Sequence, residues 1–223
     1  KNIGPDTYST IGDEKQNNYA LRAQTKEEFI KTVTEGLHAA PQYFSINARI
    51  NKEGYESLDE VMESALEPLS LEAFKELIRD EDTIILDTRS AMVFSDGFVP
   101  GSINIGLDGR FAEWAGSLLP FDKPIVLVTE PGREKESAIR LARVGFDKMK
   151  GFLDGGFEAW MKAGEYVDLI INVDPEEFSM DLRFDPKMLV VDVRRETEYG
   201  NGHLADARNI PLETLTDPGT MAD

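Results

Sequence analysis

The chain has 223 residues, of which 42 are acidic, 24 basic and 41% apolar, giving a formal net charge of -18; it contains no cysteine. That length and apolar content suit one or two cored domains rather than a disordered chain, and no apolar run approaches the roughly 20 residues of a membrane-spanning helix. The acidic excess argues against nucleic-acid binding, and the missing thiols exclude disulfides, thiolate metal sites and cysteine nucleophiles within this chain.

The chain opens Lys1-Asn2-Ile3-Gly4, without Met or an apolar export segment behind it. It reads as cut from a longer protein, and a cytoplasmic location is the default expectation. Thr25-Lys26-Glu27-Glu28 is a capping box opening a helix with Phe29, Ile30, Val33 and Leu37 on one face. Residues 41–55 read as irregular. Ser57-Leu58-Asp59-Glu60 opens a second helix with Leu58, Val61, Met62, Ala65 and Leu66 inward, and residues 70–78 start a third. Residues 1–68 hold too few apolar side chains for a core of their own, so they are expected to pack on something else.

Between 69 and 167 the pattern changes. Thr83-Ile84-Ile85-Leu86 is a short apolar run rich in β-branched residues, as a buried parallel strand requires, and it ends in Asp87-x-Arg89. A short polar helix around Phe94, a Gly-led turn and the strand Ile103-Asn104-Ile105 follow. Pro124-Ile125-Val126-Leu127-Val128 is a further buried strand, running into the loop Thr129-Glu130-Pro131-Gly132-Arg133-Glu134. A helix is expected over 137–144, with Ala138, Leu141 and Ala142 on one face and Gly145 stopping it. Residues 151–160 give a strand, the Gly155-Gly156 turn and a helix start. Strands alternating with helices predict an open parallel α/β sheet flanked by helices.

The segment 168–223 repeats part of this. Residues 86–107 align with 191–212 without a gap, at a constant offset of 105 (192 minus 87). Asp87 and Asp192, Arg89 and Arg194, Gly97 and Gly202, Asn104 and Asn209, Ile105 and Ile210, and Leu107 and Leu212 are identical pairs. Met188-Leu189-Val190-Val191 stands where the first buried strand does, and Tyr199 matches Phe94. The offset is domain-sized, which predicts two copies of one domain.

Three of these motifs carry a resemblance. Asp87-x-Arg89, Gly97-Phe98-Val99-Pro100-Gly101-Ser102-Ile103-Asn104-Ile105 and Asp154-Gly155-Gly156-Phe157-Glu158-Ala159-Trp160 resemble, in order and spacing, signatures of the rhodanese domain, a sulfurtransferase family. Gly202-His203-Leu204 in the second copy is similar to the family's Gly-His-Ile. The N-terminal segments Asn18-Tyr19-Ala20-Leu21-Arg22 and 41–55 are similar to the tail of proteins that fuse a metallo-β-lactamase-fold domain to rhodanese domains, the persulfide dioxygenase group among them. The family's metal motif is absent; His38 and His203 stand alone, so no metal site and no cofactor are expected in this chain.

Rhodaneses carry sulfane sulfur on a Cys at the mouth of a strand-loop-helix turn, where backbone N–H groups stabilise thiolate, persulfide and anionic donor. The resemblance places Thr129 at that position. A hydroxyl ionises far less readily than a thiol and forms no persulfide, and Glu130, Glu134 and Glu136 oppose an anionic donor, offset in part by Arg133, Lys135 and Arg140. No catalytic residue is therefore expected. The loop from Thr129 to Glu134 either keeps an anion-cradling shape, with Gly132 and Arg133 touching the ligand, or is a vestigial connection. Asp87 with Arg89, and Asp192 with Arg194, read as structural ion pairs or loop clamps, Gly155 and Gly156 as a turn and Trp160 as an inward anchor.

Adding 105 to Thr129 puts the second copy's loop near position 234, so the second copy is expected to be truncated. It should then lean on the first domain or on another chain, a homo-oligomer included. The expected partner otherwise is the metallo-β-lactamase-fold domain of the parent protein, with neither nucleic acid nor membrane. The functional expectation is a non-catalytic rhodanese-like module of sulfane-sulfur (persulfide) metabolism. The alternatives are sulfur transfer by a Cys in the remainder of the second domain, and an anion- or partner-binding module.

Overall fold

The computed structural model describes residues 8–22, 25–34, 42–54, 57–185 and 187–215. The chain divides into two units, residues 1–40 and 41–223. In the first, helix α1 (Ile11–Asn17) is capped by Thr10, whose hydroxyl accepts the Asp13 N–H. A 3₁₀ turn (Tyr19–Arg22) and helix α2 (Lys26–Thr34) follow. The Thr25 capping box closes reciprocally: Glu28 N–H donates to Thr25 Oγ1 at 3.1 Å and Thr25 N–H to Glu28 Oε2 at 3.3 Å. Residues 8–34 bury no described side chain, and Phe29 and Ile30 are exposed. Leu37 and His38 lie outside the described residues.

The second unit begins with α3 (Gln42–Glu53), α4 (Leu58–Ala65), β1 (Pro68–Leu69) and α5 (Leu71–Leu77). Helix α3 corrects the irregular reading of 41–55: Pro41 and Gly54 bound a stretch free of both breakers, and Tyr43, Ile46 and Ile50 recur at helical spacing. Next come β2 (Ile84–Asp87), α6 (Ala91–Ser95), β3 (Ile103–Asn104), α7 (Phe111–Leu118), β4 (Ile125–Val128), α8 (Glu134–Ala142), β5 (Met149–Leu153) and α9 (Gly156–Lys162). The strands form one parallel sheet in the order β1-β5-β4-β2-β3.

Strand periodicity divides the core in two. Ile84, Leu86, Ile125 and Leu127 face one side, packing with Val61, Ala65, Phe111, Ala115 and Leu141. Ile85, Val126 and Val128 face the other, with Phe74, Phe157 and Trp160. Tyr43 of α3 packs on the first cluster, against Gly116 of α7, whose missing side chain makes room for the ring. Every strand of the sheet ends at the same edge, where β2 delivers Asp87 and β4 delivers Thr129.

Helix α10 (Pro175–Phe184), capped by Asp174, leads to β6 (Val191–Asp192), α11 (Glu196–Gly200), β7 (Arg208–Asn209) and a 3₁₀ turn (Leu212–Thr214). This segment reproduces the β2-α6-β3 geometry at the offset of 105. Leu86 and Asp87 pair in parallel with Ile103 and Asn104, as Val191 and Asp192 do with Arg208 and Asn209. The Asn104 amide donates to the carbonyls of Asp87 and Arg89, and the Asn209 amide to those of Asp192 and Arg194. Phe94 stacks on Phe98, and at the equivalent positions Tyr199 stacks on His203. Burial separates the two: Ile84 is 9% exposed between β3 and β4, whereas its counterpart Leu189 is 71% exposed.

Candidate functional site

Thr129 leaves the C-terminal end of β4 at the middle of the sheet edge and is itself buried. The carbonyl of Thr129 lies against Gly156: a Cβ there would sit 3.0 Å from that oxygen, and Gly156 has φ +57°. The Gly155-Gly156 turn is thus glycine because the backbone must pass close under the loop while left-handed. Trp160, one turn into α9, meets Phe74 edge-on and donates its indole N–H to Tyr166 O at 2.8 Å.

Beyond Thr129 the chain turns sharply. Arg133 N–H donates to Glu130 O at 3.0 Å, closing a turn with Pro131 and Gly132 at its centre; Gly132 has φ +86°, the Pro-Gly pattern of a type II turn. Helix α8 starts at Glu134. Several of the loop's donors are engaged within the chain: Gly132 N–H donates to Glu134 Oε1 at 2.9 Å. The Arg133 guanidinium donates to Asp108 Oδ1 at 2.9 Å and to Glu136 Oε2 at 3.1 Å, with Glu130 at 3.9 Å. Arg140 spans the carbonyls of Leu107 and Gly109 and lies over the Phe111 ring. Hydrogen bonding to Asp108 and Glu136 raises the Arg133 pKa further above its usual range, and the same contact holds the Asp108 carboxyl below the ordinary carboxylate range.

Asp87 and Arg89 stand beside this loop. Both are buried, and Asp87 takes four hydrogen bonds from Arg89, one from its N–H and three from the guanidinium, the shortest 2.6 Å. The guanidinium also donates to Gly97 O at 2.9 Å and lies 4.2 Å from the centre of the Phe157 ring. Arg89 Nε and Nη2 are thereby turned inward, which is the arrangement of a clamp between β2, the turn after α6, and α9. Asp192 and Arg194 repeat the pair, with Arg194 donating to Gly202 O, but here the arginine is exposed and the aspartate half-buried, and their hydrogen bond lowers the Asp192 pKa and raises that of Arg194. His203 contacts the Tyr199 carbonyl through Nδ1.

Several contributors escaped the sequence reading. Buried Thr88 and Ser137 hydroxyls meet at 3.2 Å, and Ser137 donates to Arg133 O at 2.9 Å, tying the Asp-x-Arg turn to the loop. Asp108 reaches Arg133 across 25 residues. Neither has a local signal, because the contacts join loops that only the closed sheet brings together. Among the described residues no group of three or more His, Asp or Glu is placed to hold a metal ion, and no helix is long and apolar enough to cross a membrane.

Residues 70–163 match the rhodanese-like domain family. The parallel sheet flanked by helices is a rhodanese-like fold, and within it Thr129 holds the tip of the central strand. Similar solved structures include the rhodanese-like domain of the Alr3790 protein from Anabaena sp. in solution, 20% identical over 48% of this chain and 86% of that one, with a TM-score of 0.42. A rhodanese-related protein from Thermoplasma volcanium is 22% identical, over 46% of this chain and 97% of that one, at a TM-score of 0.38. A metallo-beta-lactamase from Staphylococcus aureus is 24% identical over 65% of this chain, at a TM-score of 0.46, and the match spans 40% of that protein. No curated protein matches the chain.

Proposed function

We propose that this chain is a non-catalytic rhodanese-like module of a multidomain protein of sulfane-sulfur (persulfide) metabolism, in which Thr129 stands in place of the nucleophilic Cys. The observation that carries the reading is Thr129 at the tip of β4 in a chain without cysteine. Sulfur transfer needs a thiolate that attacks the outer sulfur of a donor, breaks its S–S bond, releases the sulfite or thiol fragment and keeps the sulfur as a persulfide. A threonine hydroxyl supplies neither the anion nor the S–S product. The link to persulfide metabolism rests on the resemblance of residues 18–22 and 41–55 to fusions with a metallo-β-lactamase-fold domain, which would be the partner. The test is intact mass after incubation with thiosulfate: the expected spectrum is unchanged, and a stable gain of one sulfur atom, removed by cyanide, would refute the reading.

A second reading is favoured by the hydrogen-bond pattern that 191–212 shares with 86–107: the segment from 168 onward opens a second rhodanese-like domain that transfers sulfur. The residue near 234 of a longer chain decides it. A Cys there supports sulfur transfer by that domain, and a Ser, Thr or Asp ends it. A third reading, an anion- or partner-binding loop, has against it that Gly132 N–H and the Arg133 guanidinium already have internal acceptors.

A further inference from the structure

The chain that leaves α9 is fastened along the rhodanese-like domain before it reaches α10. Glu165 pairs with Lys75 at 2.6 Å, and Tyr166 O accepts the Trp160 indole N–H. Val167 packs on the core face that holds Phe74 and Trp160, and it lies so close to Gly97 that a Cβ there would meet Val167 Cγ1 at 3.0 Å. Asp168 N–H donates to Phe98 O at 3.1 Å and Phe98 N–H to Asp168 O at 2.9 Å, an antiparallel bridge. Ile170 N–H donates to Ser95 O at 3.0 Å, and the Asn172 amide to Ser95 Oγ at 2.8 Å. Asp174 then caps α10, the helix that leads into β6.

The bonds from Asp168, Ile170 and Asn172 all end on residues 95–98, the turn after α6. The same turn is gripped from inside, where Arg89 Nη2 donates to Gly97 O with Asp87 behind it. The second copy has the inner grip alone: Arg194 donates to Gly202 O, but nothing lies within 4 Å of where a Cβ on Gly202 would stand. We propose that residues 165–172 are a coupling strap, anchoring the root of the second copy on the turn that Arg89 holds, so that clamp and anchor loosen together. Ordering one short turn serves every bond made to it, so bonds on its two sides reinforce one another, and losing either side lowers the free energy of opening the other. The state of the Asp87 and Arg89 pair at the strand tips is thereby felt where the chain departs for α10.

The test is hydrogen exchange of the ¹⁵N-labelled full chain, read at the Asp168 and Ile170 amides, which are expected to be protected in wild type. Asp87→Asn combined with Arg89→Met removes both charges of the clamp, so that neither is left buried alone, and takes the donor from Gly97 O. Exchange at Asp168 and Ile170 should then rise roughly tenfold or more, the value of a hydrogen bond from a charged group. The Leu66 and Val144 amides, at the ends of α4 and α8 on the other face of the sheet, are the control and should not change. Asn172→Ala enters the network from its exposed end. It should speed exchange of the Ile170 amide by roughly two- to tenfold, the value of one neutral hydrogen bond, and speed exchange of the Arg89 Nε–H as well. Should the clamp variant not fold, Asn172→Ala decides alone. Strap amides unprotected in wild type, strap amides unmoved by loss of the clamp, a control rise equal to theirs, or an Arg89 Nε–H unmoved by Asn172→Ala would each overturn the proposal.

Discussion

Replacing Asp87 by Asn is the sharpest perturbation of the clamp. The side chain is fully buried, keeps its shape in the variant and loses its charge, leaving the Arg89 guanidinium buried with Gly97 O and the Phe157 ring as remaining partners. Removing one partner of a buried ion pair costs about 3–5 kcal/mol, and the two surviving contacts place this case near the lower end. For a chain of this size that corresponds to a fall in melting temperature of roughly 6–12 °C. Tryptophan fluorescence is the assay, because Trp114 and Trp160 are the chain's two tryptophans and both lie in the rhodanese-like domain. Asp192→Asn breaks the same pair where its arginine is exposed, outside the sheet that holds the two tryptophans, and should leave that fluorescence midpoint unmoved. Equal shifts from the two variants, or no shift from Asp87→Asn, would refute the argument that burial decides the value of the pair.

Three further outcomes follow from the geometry. Gly156→Ala adds a Cβ 3.0 Å from the Thr129 carbonyl at a left-handed position; calorimetry should show a loss of about 1–3 kcal/mol. Asp206, at φ 63°, stands 105 residues after Gly101, itself left-handed, so Asp206→Gly should slow exchange of the Ile210 amide roughly two- to fivefold. Because Arg133 holds the Asp108 carboxyl below its unfolded value, this ion pair contributes fully above about pH 4 and is lost as pH falls through the lowered folded value; ¹³C titration of that carboxyl should report its midpoint below the ordinary range.

Much of the fold was legible because its central strands β2 and β4 carry apolar runs buried on both faces. Ile125 to Val128 admits only a buried parallel strand in so short a run, and the Asp-x-Arg and Gly-Gly signatures then set the order of elements around it. The local geometry of 191–209 was legible from 86–104, because identical residues at one offset make the same hydrogen bonds. Helix α3 was not, because its apolar positions are diluted by Asn, Arg and Lys and it gains its packing from Tyr43 on α7 rather than from its own pattern. At the site, the loop's position and its excess of carboxylates could be read directly. Which carboxylate engages which donor could not, since Asp108 meets Arg133, and Thr88 meets Ser137, only when separate strand ends are brought to one edge.

The account turns on the chemistry available at Thr129, and steady-state turnover measures it most directly. Purified protein given thiosulfate and cyanide should form thiocyanate no faster than buffer alone. Formation well above that blank, retained after Thr129→Ala or abolished by it, would contradict the claim that no sulfur relay can form on this chain.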